Sequence, residues 1–271
     1  MRDTQRLVRL PGLDLYLVGC AGHQADWSPE ESVMTFALVL VSEGTFRRRA
    51  NGIERAIDPV TAYVQCPGEE QQVAHPTGGD VCTVIVPSEE VLGGLGDPVR
   101  LSGAALLVSA EVDLEHRLLL SRARAGADSD ELSERATALA GDLVDGDRVI
   151  HHARASRMDR RLASHVRETF EADVRTPLID VAADIGVSAY RLSRAFRRVT
   201  GLSVTSYRVQ LRTRQALARL ADGDRDLAGI AADVGFADQA HLTRTLRASA
   251  GMTPRMLRIV LAEPAPRRDV Q

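Results

Sequence analysis

Two sets of polar side chains in the last third of this 271-residue chain have types and spacing that suit one chemistry. Tyr190, Ser193, Arg194 and Arg197 recur at i, i+3, i+4, i+7, as do Ala240, Thr243, Arg244 and Arg247, with Gln239 and His241 beside them in the first turn. On helices each set forms a single outward face. Arginine can fork onto the two acceptors of guanine, glutamine can pair with adenine, and hydroxyl groups serve either. Such faces suit the major groove of duplex DNA, with Arg194 and Arg244 as the foremost contacts. Arg197, Arg247 and Arg212 fit phosphates or a solvated face, since many arginine contacts go to the backbone.

The elements that must hold these faces are written twice. Val181-Ala-Ala-Asp-Ile-Gly-Val187 recurs as Ile230-Ala-Ala-Asp-Val-Gly-Phe236, and the match resumes with Leu192 against Leu242, Arg194 against Arg244 and Gly201 against Gly251. Each copy predicts a helix ended by glycine (Gly186, Gly235), an N-cap (Ser188, Asp238) and a second helix. Leu192, Ala195, Phe196 and Val199, or Leu242 and Leu246, form the inward faces. Between the copies, Val204 to Ala221 reads as one helix of about 27 Å, which can set two reading helices roughly one DNA turn apart. A helix from Ser156 to Ala172 opens the region. Thr176-Pro177 predicts an N-cap with proline at the first helical position, and Thr253-Pro254 caps a last helix.

Residues 157–260 resemble the C-terminal domain of AraC/XylS-family transcription regulators, in which two helix-turn-helix units are joined by a long helix. The most typical segment runs from Ile230 to Phe236, through His241 to Arg247, to Gly251-Met-Thr-Pro254. The resemblance implies a sequence-specific DNA-binding regulator, with Tyr190, Ser193, Gln239, Ala240, His241 and Thr243 at positions that reach base edges. It further implies a cupin-like N-terminal barrel that holds a small-molecule effector, pairing of two chains through its helices, and RNA polymerase as a partner if the protein activates.

Composition agrees with two unlike halves. Residues 1–150 carry 13 Arg against 24 acidic residues, a net −11, while 151–271 carry 21 Arg against 13, a net +8. The basic half fits a phosphate-binding module and the acidic half something that does not touch DNA. There is no lysine. No signal peptide or membrane span is indicated, and three cysteines without an export signal predict reduced thiols in a cytoplasmic protein.

The expected fold is two-domain α+β. An antiparallel, cupin-like β-barrel with helices over 1–147 serves effector binding and dimerisation, a linker follows at 148–155, and an all-α double helix-turn-helix spans 156–262, with a tail at 263–271. Strand-like stretches from Leu13 to Val86 are punctuated by turns, Asn51-Gly52 being the clearest hairpin signal. Helices at Val112 to Arg124 and Glu131 to Val144 follow. The stripe Leu132, Ala136, Leu139, Ala140, Leu143 of the second should cover the barrel, and Asp128 should cap its start.

Trp27, His75 and Cys82 are the candidates for effector contact, and Ser28 to Glu31 fits a capping box. Metal-binding cupins carry a His-x-His pair with a later Glu and His, whereas this segment offers His75 alone, so neither metal nor cofactor is expected. Cys20, Cys66 and Cys82 meeting as a thiol or soft-metal switch is the alternative, against packed structural thiols. Arg47-Arg48-Arg49 is expected on a solvated edge, and His151-His152 in the linker. No spacing supports a nucleophile with its base, so an enzyme is not expected.

Overall fold

The structure is a computed structural model, which describes residues 2–22, 24–95, 101–102, 104–144, 149–150 and 155–262. The expected tail, and His151 and His152 of the expected linker, lie outside the described residues.

The β region comprises β1 (Arg2–Leu10), β2 (Leu13–Cys20), β3 (Glu31–Ser32), β4 (Ala37–Glu43), β5 (Phe46–Ala50), β6 (Ile53–Ile57), β7 (Thr61–Gln65), β8 (Glu70–Ala74), β9 (Asp80–Pro87), β10 (Ala105–Leu107) and β11 (Val149–Ile150). Its strands pair antiparallel, as expected, but in two sheets and not in one closed ring: β1-β2-β9-β4-β7-β10-β11 and β3-β8-β5-β6. Asn51 and Gly52 both take positive φ, 48° and 76°, as the tight turn between β5 and β6 requires.

Period-two alternation gives the larger sheet two different faces. Leu15, Leu38, Leu40, Ala62, Val64 and Ile85 point to one side, where Leu119, Leu132, Leu139 and Leu143 cover them. Tyr16, Val18, Val39, Tyr63, Cys82 and Val84 point to the other, across a cavity from the smaller sheet. Both faces are covered, which is why Ala37 to Val41 is apolar without interruption.

Helices α1 (Glu89–Gly94), α2 (Ala110–Arg124) and α3 (Ser129–Val144) follow the strands. The α3 stripe Leu132, Ala136, Leu139, Ala140, Leu143 is wholly buried in the chain's own core. Each such leucine contributes about 1.5–3 kcal/mol. Helix α2 has two apolar faces: Val112 and Leu119 join that core, while Leu114 and Leu118 pack with Leu217, Ile230, Leu242 and Leu246 of the C-terminal helices. Among the described residues no helix is long and apolar enough to cross a membrane.

His116 of α2 is buried, its Nε2 2.7 Å from Thr83 Oγ1 on β9. Burial lowers its pKa to about 4; Asp113 opposes the shift, and Arg117 and Arg124 add to it. The unfolded chain binds this proton near pH 6.5 and the folded chain only near 4, so stability is full above 6.5 and is lost as pH falls between the two. We expect His116 to remove about 2 kcal/mol of stability between pH 7 and pH 5. Urea midpoints should fall less over that interval in His116→Gln; equal falls would refute the assignment.

The C-terminal helices are α4 (Arg157–Ala172), α5 (Leu178–Asp184), α6 (Ala189–Thr200), α7 (Val204–Ala221), α8 (Leu227–Val234), α9 (Gln239–Ala250) and α10 (Pro254–Ala262). Ser156 and Asp159 form a capping box at the start of α4. Thr176 does not cap α5 as expected: Pro177 itself holds the N-cap position, without a side-chain hydrogen bond, and Leu178 begins the helix. Ser28 to Glu31 likewise start no helix. Ser28 Oγ accepts a hydrogen bond from the Val73 amide at 3.0 Å and Glu31 enters β3.

Candidate nucleic-acid interface and effector cavity

Two helix-turn-helix units stand at either end of α7. In each, a short helix (α5 or α8) ends at a glycine with φ near +66° or +86°, Gly186 and Gly235, and a capped second helix (α6 or α9) follows. Ser188 Oγ accepts from the Arg191 amide at 3.2 Å, and Asp238 Oδ1 accepts from the His241 amide at 2.6 Å. Val181, Ala182, Leu192, Ala195 and Phe196 close one core around Tyr207, and Ile230, Ala231, Val234, Leu242 and Leu246 close the other around Leu217.

These cores turn the polar faces outward. Tyr190, Arg194 and Arg197 of α6 are exposed and Ser193 is half-buried beside them; Gln239, Ala240, His241, Arg244 and Arg247 of α9 are exposed and Thr243 is half-buried. Tyr190 is 70% exposed, which is large for an aromatic ring without a function. Arg194 Nη1 donates to its hydroxyl at 3.3 Å, one turn away, so the two side chains present a joined surface. His241 packs edge-on against Phe236 at 5.2 Å, with its ring fixed at the start of α9. Arg212, on α7, lies half-buried against the Gly235 turn.

Between the two sheets lies a cavity of about 350 Å³. Val18, Val39, Phe46, Val73, Val84 and Val86 give it apolar walls, and Gln65, Gln71, His75, Asp80 and Cys20 supply polar groups. Of the expected effector contacts, His75 and Cys82 line it. Trp27 does not; its ring lies under the Arg49 guanidinium at 4.0 Å.

The expected solvated edge of three arginines is not one. Alternation turns Arg48 inward on β5, where it is buried, bonds Glu69 at 2.6 Å and Gln71 at 2.9 Å, and covers the Tyr63 ring at 4.6 Å. Arg47 points outward and pairs with Glu168 of α4 at 2.6 Å.

The three cysteines are thiols, and they do not converge. Cys66 lies in the core beneath α3, its pKa raised to about 11 by burial and next by Glu69. Cys20 and Cys82 line the cavity. The switch that needs all three is therefore not supported. The fold instead brings Cys20 to His75 and Asp80, a grouping the sequence reading missed. His75 Nε2 is 2.7 Å from Asp80 Oδ1. Its pKa is raised to about 9, first by the hydrogen bond to Asp80 and then by Cys20, against the effect of burial.

The β region and the helices are joined by buried polar bonds. Tyr207 Oη donates to Asp58 Oδ2 at 2.6 Å, and Arg167 Nε lies 3.3 Å from the same oxygen. Arg167 Nη1 also donates to the Ala56 carbonyl. Arg214, buried on α7, donates from Nε to the Pro59 carbonyl at 2.9 Å and from Nη2 to that of Val108. Helix α7, which positions both units, is thereby fastened to the β6–β7 turn.

Two glycine-turned units on one helical rod, each with an exposed arginine-bearing face, define a double helix-turn-helix module. Residues 181–258 match the family described as a helix-turn-helix domain, and this segment is a helix-turn-helix domain of the AraC type. The arabinose operon regulatory protein of Salmonella typhimurium is 34% identical over 83 residues, which cover 31% of this chain and 30% of that protein. This chain therefore spans less than a third of the length of the curated relative it matches. Among solved structures, a transcriptional regulator with an AraC-type DNA-binding domain from Chromobacterium violaceum is 25% identical, with 41% of this chain and 100% of that one covered and a TM-score of 0.37. Fatty acid-bound ToxT from Vibrio cholerae is 9% identical, with 96% and 100% covered and a TM-score of 0.36.

Proposed function

We propose that this chain is a sequence-specific DNA-binding transcription regulator whose β region binds a small molecule. The observation that carries the reading is the pair of outward faces on α6 and α9, held by one 18-residue helix. Tyr190, Ser193, Arg194, Gln239, Ala240, His241, Thr243 and Arg244 read bases, and Arg197 and Arg247 hold phosphates. The cavity between the sheets takes the effector, a compact, largely apolar molecule with a polar group near Gln65, Gln71 and His75. An effector there shifts how α7 presents the two units, through the bonds of Asp58, Arg167 and Arg214. The protein acts in the cytoplasm without enzymatic activity, as residues 1–147 joined by 148–155 to 156–262. Its chains pair on DNA, with RNA polymerase as a further partner where it activates.

The test is binding of the full chain to its own promoter region over a salt series. Neutralised phosphates release counterions, so log K should fall linearly with log salt concentration. Arg197→Ala and Arg247→Ala should each reduce that slope by about one if they touch phosphate. Affinity that ignores salt would overturn the reading.

A further inference from the structure

We propose that Cys20, His75 and Asp80 form a binding site for one divalent metal ion of the zinc class, with a fourth coordination position open to the cavity. Its role toward an effector rests on the function proposed above; the site itself does not. One sulfur, one imidazole nitrogen and one carboxylate oxygen lie within 4.8 Å of one another. A tetrahedral centre with bonds of about 2.0–2.3 Å holds its donors roughly 3.3–3.7 Å apart. Side-chain rotations must open the His75 Nε2–Asp80 Oδ1 pair from 2.7 Å and draw in any donor pair that lies farther apart than the tetrahedral spacing.

Several features hold the donors in place. Cys20 and Asp80 are directly paired residues of β2 and β9. Between the strands, Gly79 comes so close to the Cys20 carbonyl that any Cβ would collide with it. His75 is pinned by reciprocal backbone bonds with Gln24 at 3.0 and 2.6 Å, and its ring stacks on Phe46 at 5.6 Å. Asp80 Oδ2 accepts from the Cys82 thiol at 3.0 Å, which turns Oδ1 toward His75. That Oδ1 is buried and meets His75 Nε2 at 2.7 Å. The Cys82 thiol thus acts as an outer group that orients the Asp80 carboxylate, and a metal ion would take the place of the direct Asp80–His75 contact.

The donor set selects the ion. Thiolate with imidazole and carboxylate suits Zn(II) or Co(II), whereas an all-soft set would favour Cu(I). Three protein ligands with one open position mark an exchangeable centre and not a closed structural one. Ions can enter from an open groove beside Cys20 and Asp80 that is flanked by Asp3 and Glu43. On binding, the Cys20 thiol and any imidazolium form of His75 give their protons to solvent, and no electron transfer is involved.

The experiment uses the full chain, stripped of metal with a chelator and titrated with Co(II). The expected result is one equivalent per chain, with a thiolate-to-cobalt charge-transfer band and tetrahedral visible bands that Zn(II) abolishes. Cys20→Ser should remove the charge-transfer band and Asp80→Asn should weaken binding at least ~10-fold, while Cys66→Ser, a thiol in another core, should leave both unchanged. Melting curves of the metal-free variants establish that each is folded, and His75→Gln provides a second ligand deletion. Absence of the band, or a band that survives in folded Cys20→Ser, would overturn the site. Promoter binding by the same samples is read in parallel: its loss in every metal state would sink the proposed regulatory function while leaving the metal site standing.

Discussion

Asp58→Ala should be among the most destabilising single substitutions in the chain, costing about 3–5 kcal/mol. Asp58 is almost wholly buried in the turn between β6 and β7. It accepts hydrogen bonds from Tyr207 Oη at 2.6 Å and the Val60 amide at 2.9 Å, and pairs with Arg167. Burial raises the Tyr207 pKa well above its ordinary value, and the nearby Asp58 charge adds to this, so the phenol stays a donor. Removing the carboxylate strips the buried Arg167 guanidinium of this ion-pair partner and leaves its bond to the Ala56 carbonyl, and an uncompensated buried charge is what makes broken pairs costly. The double variant Asp58→Ala with Arg167→Met should recover part of the loss, because no charge is then stranded. Urea unfolding of the four proteins measures the coupling. A single-variant loss below about 1 kcal/mol would mean that the pair contributes little to stability and that α7 is held by its apolar contacts alone.

That network was invisible in the sequence for a physical reason. Periodicity reports which face of an element is apolar, and it does so well where the environment is uniform: the residues of α7, the α3 stripe and the inward faces of α6 and α9 all follow from spacing. It says nothing about which distant polar group will meet a buried charge. Asp58 and Arg214 stand 156 residues apart in sequence (214 − 58), and Asp58, Arg167, Tyr207 and Arg214 each sit in an unremarkable local setting. Arg48 misled for the same reason: alternation on β5 does separate it from Arg47 and Arg49, but only the position of Glu69 makes the inward side tolerable for a charge. The strand β1 was missed because its three arginines and Asp3 mask a pairing to β2 that depends on the partner strand. Of the cavity's polar groups His75 was legible, and Cys82 on its wall with it. The grouping of Cys20 with Asp80 required the register of β2 against β9, which no local signal contains.

Inserting about five base pairs between the two operator elements should weaken binding at least ~10-fold, and a full-turn insert should not restore the parent affinity. Helix α7 is one unbroken rod of 18 residues, and bonds from Arg214 and Tyr207 tie it to the β region. The faces of α6 and α9 therefore have a fixed separation and a fixed rotation about the duplex. Half a turn places the second element on the opposite side of the DNA, where only one unit can engage and a base-reading arginine worth about 1–3 kcal/mol is lost together with its phosphate contacts. A full turn restores the face but adds about 34 Å, more than a rigid helix can follow. The faces are chemically unlike, with Tyr190 and Ser193 beside Arg194 and with Gln239, His241 and Thr243 beside Arg244, so neither unit substitutes for the other. Arg194→Ala should relax preference in one element only and Arg244→Ala in the other. Uniform weakening on all sequences would move those arginines from bases to phosphates. Parent-like affinity on the half-turn insert would show that the rod does not set the spacing, and the paired-reader geometry would fail.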